Sequence, residues 1–261
     1  MKILCPIDLS EAAINAIEYA ARLAKASAGC VSLLHTVPET VLITDEGHTS
    51  DTLLQAEGAI AERLEAQALQ VRERFRVPCN FTLSHESLST AIGKRVQKEG
   101  FDLVLMGTEG ASELRKFMFG SNTTQVMEKI NSPVMVVPAD FKYAEIKHLV
   151  YATNYQPGDD ESIVELFRLA DLLGANVTIL HVGKHYTSSR LELFNAYQEF
   201  IFEEFYYDFN LKVEQVIYDD VAEGLLEYMD EKEGDVLAML THHRSFFQEL
   251  FHESLTRKMA L

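Results

Sequence analysis

The chain alternates short, near-continuous apolar runs with longer segments whose apolar residues recur three or four positions apart. Ile3–Ile7, Val31–His35, Asn80–Ser84, Leu103–Met106 and Val134–Val137 read as strands. Between them, Ser10–Lys25, Thr52–Arg74, Leu88–Lys98 and Ser121–Ile130 carry helical spacing. Ser10 is the expected N-cap of the first helix, with Glu11 in its first turn. Apolar strands separated by helices predict parallel strands covered on both faces and built from right-handed βαβ units. In such open sheets ligands bind beyond the carboxyl ends of the strands, where strand order reverses. Asp8, Thr36 and Gly107 stand at the ends of strands one, two and four, so they are predicted to face one crevice.

The same pattern occurs twice. Lys2–Asp8 corresponds to His148–Asn154 and Val31–His35 to Val177–His181, both displaced by 146 positions. Asp102–Met106 corresponds to Asp235–Met239 and Ser121 to Ser254, displaced by 133, so the second copy has lost 13 residues between its second and fourth strands. The expected organisation is two tandem domains, 1–141 and 147–261, joined at about Ala139–Ile146, the second without a last strand. The fold class is α/β, with each domain an open, mostly parallel Rossmann-like sheet.

Strand four runs into a spaced glycine set, Gly107-x-x-Gly110 and then Gly120-Ser121-Asn122-Thr123, which leads into a helix. Glycines allow close backbone approach, and a helix N-terminus with nearby hydroxyls favours a phosphate. Neither the Walker A nor the G-x-G-x-x-G pattern is present, and glycines also collect in plain turns. The second copy has Leu240, His243 and Glu253 at the three glycine positions and Asn154 at Asp8. Bulk and negative charge there would close a phosphate cradle, so the expectation is one competent and one degenerate domain.

Composition narrows the ligand class. A net charge of −17 argues against a nucleic-acid surface. Residues 1–141 carry a net −5 and residues 142–261 a net −12, so an anion should prefer the first half. Cys5, Cys30 and Cys79 fit buried free thiols in a reducing compartment. The N-terminus does not read as a signal peptide, and no apolar run approaches a membrane span, so a cytoplasmic protein is expected.

Pro6-Ile7-Asp8-Leu9-Ser10, Leu33-Leu34-His35 and the Gly107/Gly110/Gly120-Ser121 loop resemble the universal stress protein family, in its tandem form. The loop is similar to the signature of the family's ATP-binding branch, on an adenine nucleotide alpha hydrolase-like fold. The resemblance implies ATP, ADP or AMP, with or without Mg. It sets Pro6, Asp8 and the backbone of Thr36 at the adenine end and Met106 and Gly107 near the ribose. Gly110, Gly120, Ser121, Asn122 and Thr123 would then line the phosphates. It also implies self-association through last strands, between the two domains or between chains in a homodimer.

Competing readings attach to several residues. Asp8 could bind ligand or cap the first helix. His35 and His181, present in both copies, read as strand-end histidines bonded to backbone. Arg115 and Lys116 could reach a terminal phosphate or lie in a solvated loop. His242, His243 and His252 lack the spacing of metal ligands. The aromatic run Phe194–Phe209 reads as a packed helix or a partner-binding face, and the tract Glu39–Asp51 as a loop beside the site. No general base is evident near the phosphate loop, so binding, with at most slow ATP hydrolysis, is expected over efficient phosphoryl transfer.

Overall fold

Ile3, Leu4 and Cys5 are fully buried because the strand that carries them, β1 (Lys2–Pro6), is the central strand of a five-stranded sheet. In this computed structural model, residues 1–37, 50–108, 121–139, 141–155, 159–185, 188–204 and 209–240 are described. They fall into two units, Met1–Tyr143 and Ala144–Leu261.

The first unit continues with α1 (Glu11–Ala26), β2 (Cys30–Thr36), α2 (Ser50–Phe75), β3 (Cys79–Ser84), α3 (Leu88–Glu99), β4 (Leu103–Thr108), α4 (Ser121–Lys129) and β5 (Val134–Pro138). Strand order is β3-β2-β1-β4-β5 with every pairing parallel. The order therefore reverses between β1 and β4, which is where such sheets open a crevice. Ser10 caps α1 as expected, its hydroxyl accepting from the Ala13 amide at 3.2 Å. The helix lays an alanine stripe (Ala13, Ala16, Ala20, Ala24) on the sheet, so its backbone comes close to the strands. On the core side Leu4, Leu34, Ile92, Val104, Met106 and Val126 pack together.

Strand four runs further than the apolar pattern suggests. Gly107 and Thr108 are strand residues, paired with Val137 and Pro138 of β5. Beyond β5 the chain is strapped to one face of α1. The Asn15 amide donates to the carbonyls of Pro138 (3.2 Å) and Phe141, the Tyr19 hydroxyl to that of Lys142 (3.3 Å), and the Arg22 guanidinium lies 4.0 Å from the centre of the Tyr143 ring.

The second unit comprises β6 (His148–Ala152), α5 (Asp159–Leu173), β7 (Asn176–Gly183), α6 (Ser188–Glu204), β8 (Leu211–Ile217), α7 (Val221–Glu231) and β9 (Val236–Met239). Its order, β8-β7-β6-β9, repeats β3-β2-β1-β4, again all parallel. The repeat extends to single hydrogen bonds. Asp102 accepts from the Lys2 amide at 2.6 Å and donates its own amide to the Lys2 carbonyl at 2.9 Å. Asp235 accepts from the amides of Lys147 (2.7 Å) and His148 (2.9 Å) and donates to the His148 carbonyl at 2.9 Å. Val31 pairs with Cys79 and Val177 with Leu211, so the shortening of the second copy lies between its second and third strands.

All three cysteines are free; Cys5 and Cys79 are buried, whereas Cys30 is only half-buried because it begins β2.

Candidate functional site

The carboxyl ends of β1, β2 and β4 share one edge of the first sheet. Pro6 pairs with Leu34, and the Ile7 amide extends that pairing to the Leu34 carbonyl at 2.8 Å. Leu4 pairs with Val104, which carries Gly107 and Thr108 toward the same edge. Pro6 is buried, Thr36 half-buried and Asp8 exposed.

The turn after β1 is tightly specified. Leu9 has φ +66°, a left-handed conformation that costs a residue with a Cβ. Asp8 Oδ1 accepts from the Ser10 amide at 3.0 Å. His35 Nδ1 lies 2.7 Å from the Ile7 carbonyl, an oxygen that can only accept, so Nδ1 carries the proton. Partial burial pushes the Asp8 carboxyl upward, but hydrogen bonds from the hydroxyl and amide of Ser10 outweigh it, and His35 adds a further pull. The net shift is downward and leaves an ionised, solvent-facing acceptor at the rim.

On the β4 side, the Met106 side chain is buried in the core, so only its backbone borders the crevice. A Cβ on Gly107 would lie 2.3 Å from the Ala12 carbonyl oxygen and 3.0 Å from the Ala13 nitrogen. This glycine is therefore required by the seat of α1 on β4, whatever else it does. Ser121 and Asn122 are exposed at the start of α4 and Thr123 is buried. First-turn amides of a helix have no acceptor within it, and its dipole favours an anion there. Gly110, Gly120, Arg115 and Lys116 lie outside the described residues, as do His242, His243, His252 and most of Glu39–Asp51.

In the second unit the turn after β6 is packed by side chains of its own. Tyr155, at the position of Leu9, has φ +55° and stacks on His181 with ring centres 4.5 Å apart. Tyr197 of α6 meets the Tyr155 ring edge-on at 5.0 Å. His181 Nδ1 lies 2.9 Å from the Thr153 carbonyl, repeating the His35–Ile7 bond. Beneath them Asp159 is buried and accepts from the hydroxyls of Tyr151 (2.8 Å) and Thr153. Burial, reinforced by the Asp159 charge, holds the Tyr151 phenol protonated well above its usual range. Of this cluster, sequence singled out His181, and Tyr197 only as part of the aromatic run Phe194–Phe209. Tyr151 and Asp159 are eight residues apart, and only the return from β6 into α5 brings them together.

The sequence profile of the universal stress protein family matches residues 1–138, more than half of the chain. The chain belongs to the universal stress protein family. A universal stress protein of Methanocaldococcus jannaschii is 26% identical over 155 residues, 52% of this chain and 93% of that protein. A Na⁺/H⁺ antiporter of Synechocystis is 25% identical over 228 residues, covering 86% of this chain but 32% of the antiporter. The crystal structure of a universal stress protein from Archaeoglobus fulgidus matches with a TM-score of 0.72 at 17% identity, over 97% of this chain and 95% of that one. The fold of this universal stress protein is thus an α/β fold with two parallel, Rossmann-like sheets. Among the described residues no helix is long and apolar enough to cross a membrane. Among the same residues no group of histidine, cysteine and acidic side chains could hold a metal ion.

Proposed function

We propose that this universal stress protein is a regulatory nucleotide-binding protein whose first unit takes an adenine nucleotide and whose second does not. The observation that carries the reading is the shared edge of β1, β2 and β4, with an ionised Asp8 at one side and the start of α4 at the other. Asp8 accepts from the adenine amino group or a ribose hydroxyl beside Pro6, and the Thr36 backbone meets the base. The backbones of Met106 and Gly107 border the ribose. Gly110, Gly120, Ser121, Asn122 and Thr123 surround the phosphates of ATP, ADP or AMP, with Mg²⁺ where the phosphates bring it.

Leu240, His243, Glu253 and Asn154 make the second unit incompetent for the same ligand. It serves instead for assembly, within the chain or in a homodimer. Leu191, Leu193, Phe200 and Phe202, all exposed on α6, favour such an interaction role. A cytoplasmic setting fits three free thiols.

The crevice is built to bind. Backbone amides and hydroxyls stabilise ground-state charge, whereas a hydrolase needs a base within reach of the attacking water. Asp8 belongs to the adenine end, away from the terminal phosphate, so hydrolysis is slow. The test is to incubate the purified protein with ATP, remove free ligand, denature it and weigh what is released. Adenine nucleotide is expected; its absence would overturn the proposal.

A further inference from the structure

On the α1–α2 side of the first unit lies a groove of about 140 Å³ that the nucleotide reading does not use. Ile7 and Ile17, both buried, form its floor, and Leu9 and the half-exposed Ile14 its wall. Arg63 and Gln67 of α2 stand at the opposite rim. Among the described residues Arg63 makes no ion pair and no hydrogen bond, although the chain has 40 acidic side chains against 23 basic ones. An apolar floor whose rim carries a cation uncommitted among the described residues is complementary to a small hydrocarbon body that ends in a carboxylate.

We propose that this groove is a second ligand site, for a small apolar carboxylate of about the size of benzoate. A cavity of roughly 150 Å³ takes a benzene ring. The second unit gives an internal comparison: Tyr155, which replaces Leu9 on the same left-handed backbone, turns an aromatic ring toward α6 and packs it on Tyr197. The chain thus supplies its own ring in one copy and leaves space for one in the other. Among the described residues assigned to the nucleotide, Pro6, Asp8, Thr36, Gly107 and Ser121 do not line this groove.

Isoleucine-methyl NMR of the whole protein, titrated with benzoate and with its neutral counterpart benzamide, tests this. Saturable shifts are expected at Ile7, Ile14 and Ile17, with benzoate bound about threefold or more tighter than benzamide, the modest preference of an exposed charge. Arg63→Gln, an exposed substitution, should erase the preference. Leu9→Tyr, which copies the second unit, should abolish the shifts while the protein remains folded. Equal affinity for the two probes would overturn the carboxylate assignment. Absent shifts, or shifts that survive Leu9→Tyr, would overturn the site. The titration is run without ATP, so its outcome is independent of the nucleotide proposal.

Discussion

Leu9 and Tyr155 occupy equivalent places in the two halves and hold the same left-handed backbone, at φ +66° and +55°. Such a conformation costs a residue with a side chain on the order of 1 kcal/mol or more. Only the first half keeps the glycine set, so the strained turn belongs to the scaffold. It redirects the chain from the central strand toward the following helix. The histidines behave in the same way: His35 holds the Ile7 carbonyl and His181 that of Thr153, 28 residues back in each case.

His35→Ala should therefore weaken folding by about 1–3 kcal/mol, the usual cost of leaving a buried polar group without its partner. Urea unfolding measures it. An unchanged midpoint would show that the histidine is dispensable to the turn.

Gly107→Ala should destabilise the first unit by about 2 kcal/mol or more, because the added methyl meets the Ala12 carbonyl at 2.3 Å and backbone cannot yield cheaply. Gly93→Ala is the matching control. Gly93 lies inside α3 with nothing within 4 Å of an added Cβ, so alanine there should stabilise by up to about 1 kcal/mol. Thermal melts of the two variants should move in opposite directions; movement in the same direction would contradict the packing described.

The alkaline limb of stability should depend on Cys79. Burial pushes its thiol up to about 12, against the pull of Arg72 and with smaller pushes from Cys30 and Glu65. An unfolded chain gives up that proton near pH 9, so between pH 9 and 12 the folded state holds more protons than the unfolded one. Stability then falls as pH rises, by about 1.4 kcal/mol per unit for each such thiol. Cys5, buried in the same sheet and pushed up by the same cause, adds to the slope. Cys79→Ala should flatten the fall in urea midpoint between pH 9 and 11. An identical slope would mean that the thiol ionises freely in the folded protein.

Much of the scaffold was legible in sequence because it rests on local rules. Ser10 caps α1 as its position suggests, and the displaced repeats Lys2–Asp8 and His148–Asn154 mark out twin parallel sheets. What was not legible depends on contacts between distant segments. The demand for Gly107 comes from the backbone of Ala12, 95 positions earlier, and no pattern around Gly107 reveals it. The extension of β4 through Gly107 and Thr108 is set by its partner strand β5. The Tyr151–Asp159 and Tyr155–His181 contacts likewise need the sheet before they exist. Of the two readings of Asp8, the helix cap is the one the structure removes: Ser10 is the cap, and Asp8 accepts from the cap's amide while staying exposed.

Because Asp8 is the ionised acceptor at the rim, Asp8→Ala should weaken adenine nucleotide binding about tenfold with little loss of stability, the range for a hydrogen bond to a charged group. Fluorescent-nucleotide competition measures it. Unchanged affinity would remove Asp8 from the site.

The central claim is one competent crevice per chain. Calorimetric titration with ATP and Mg²⁺ tests it most directly, on the whole protein and on Gly120→Glu, which places in the first unit the acidic residue that the second carries at Glu253. The expected result is a stoichiometry near one for the whole protein and no binding by the folded variant. A stoichiometry near two, or undiminished binding by Gly120→Glu, would contradict the division of roles between the two units.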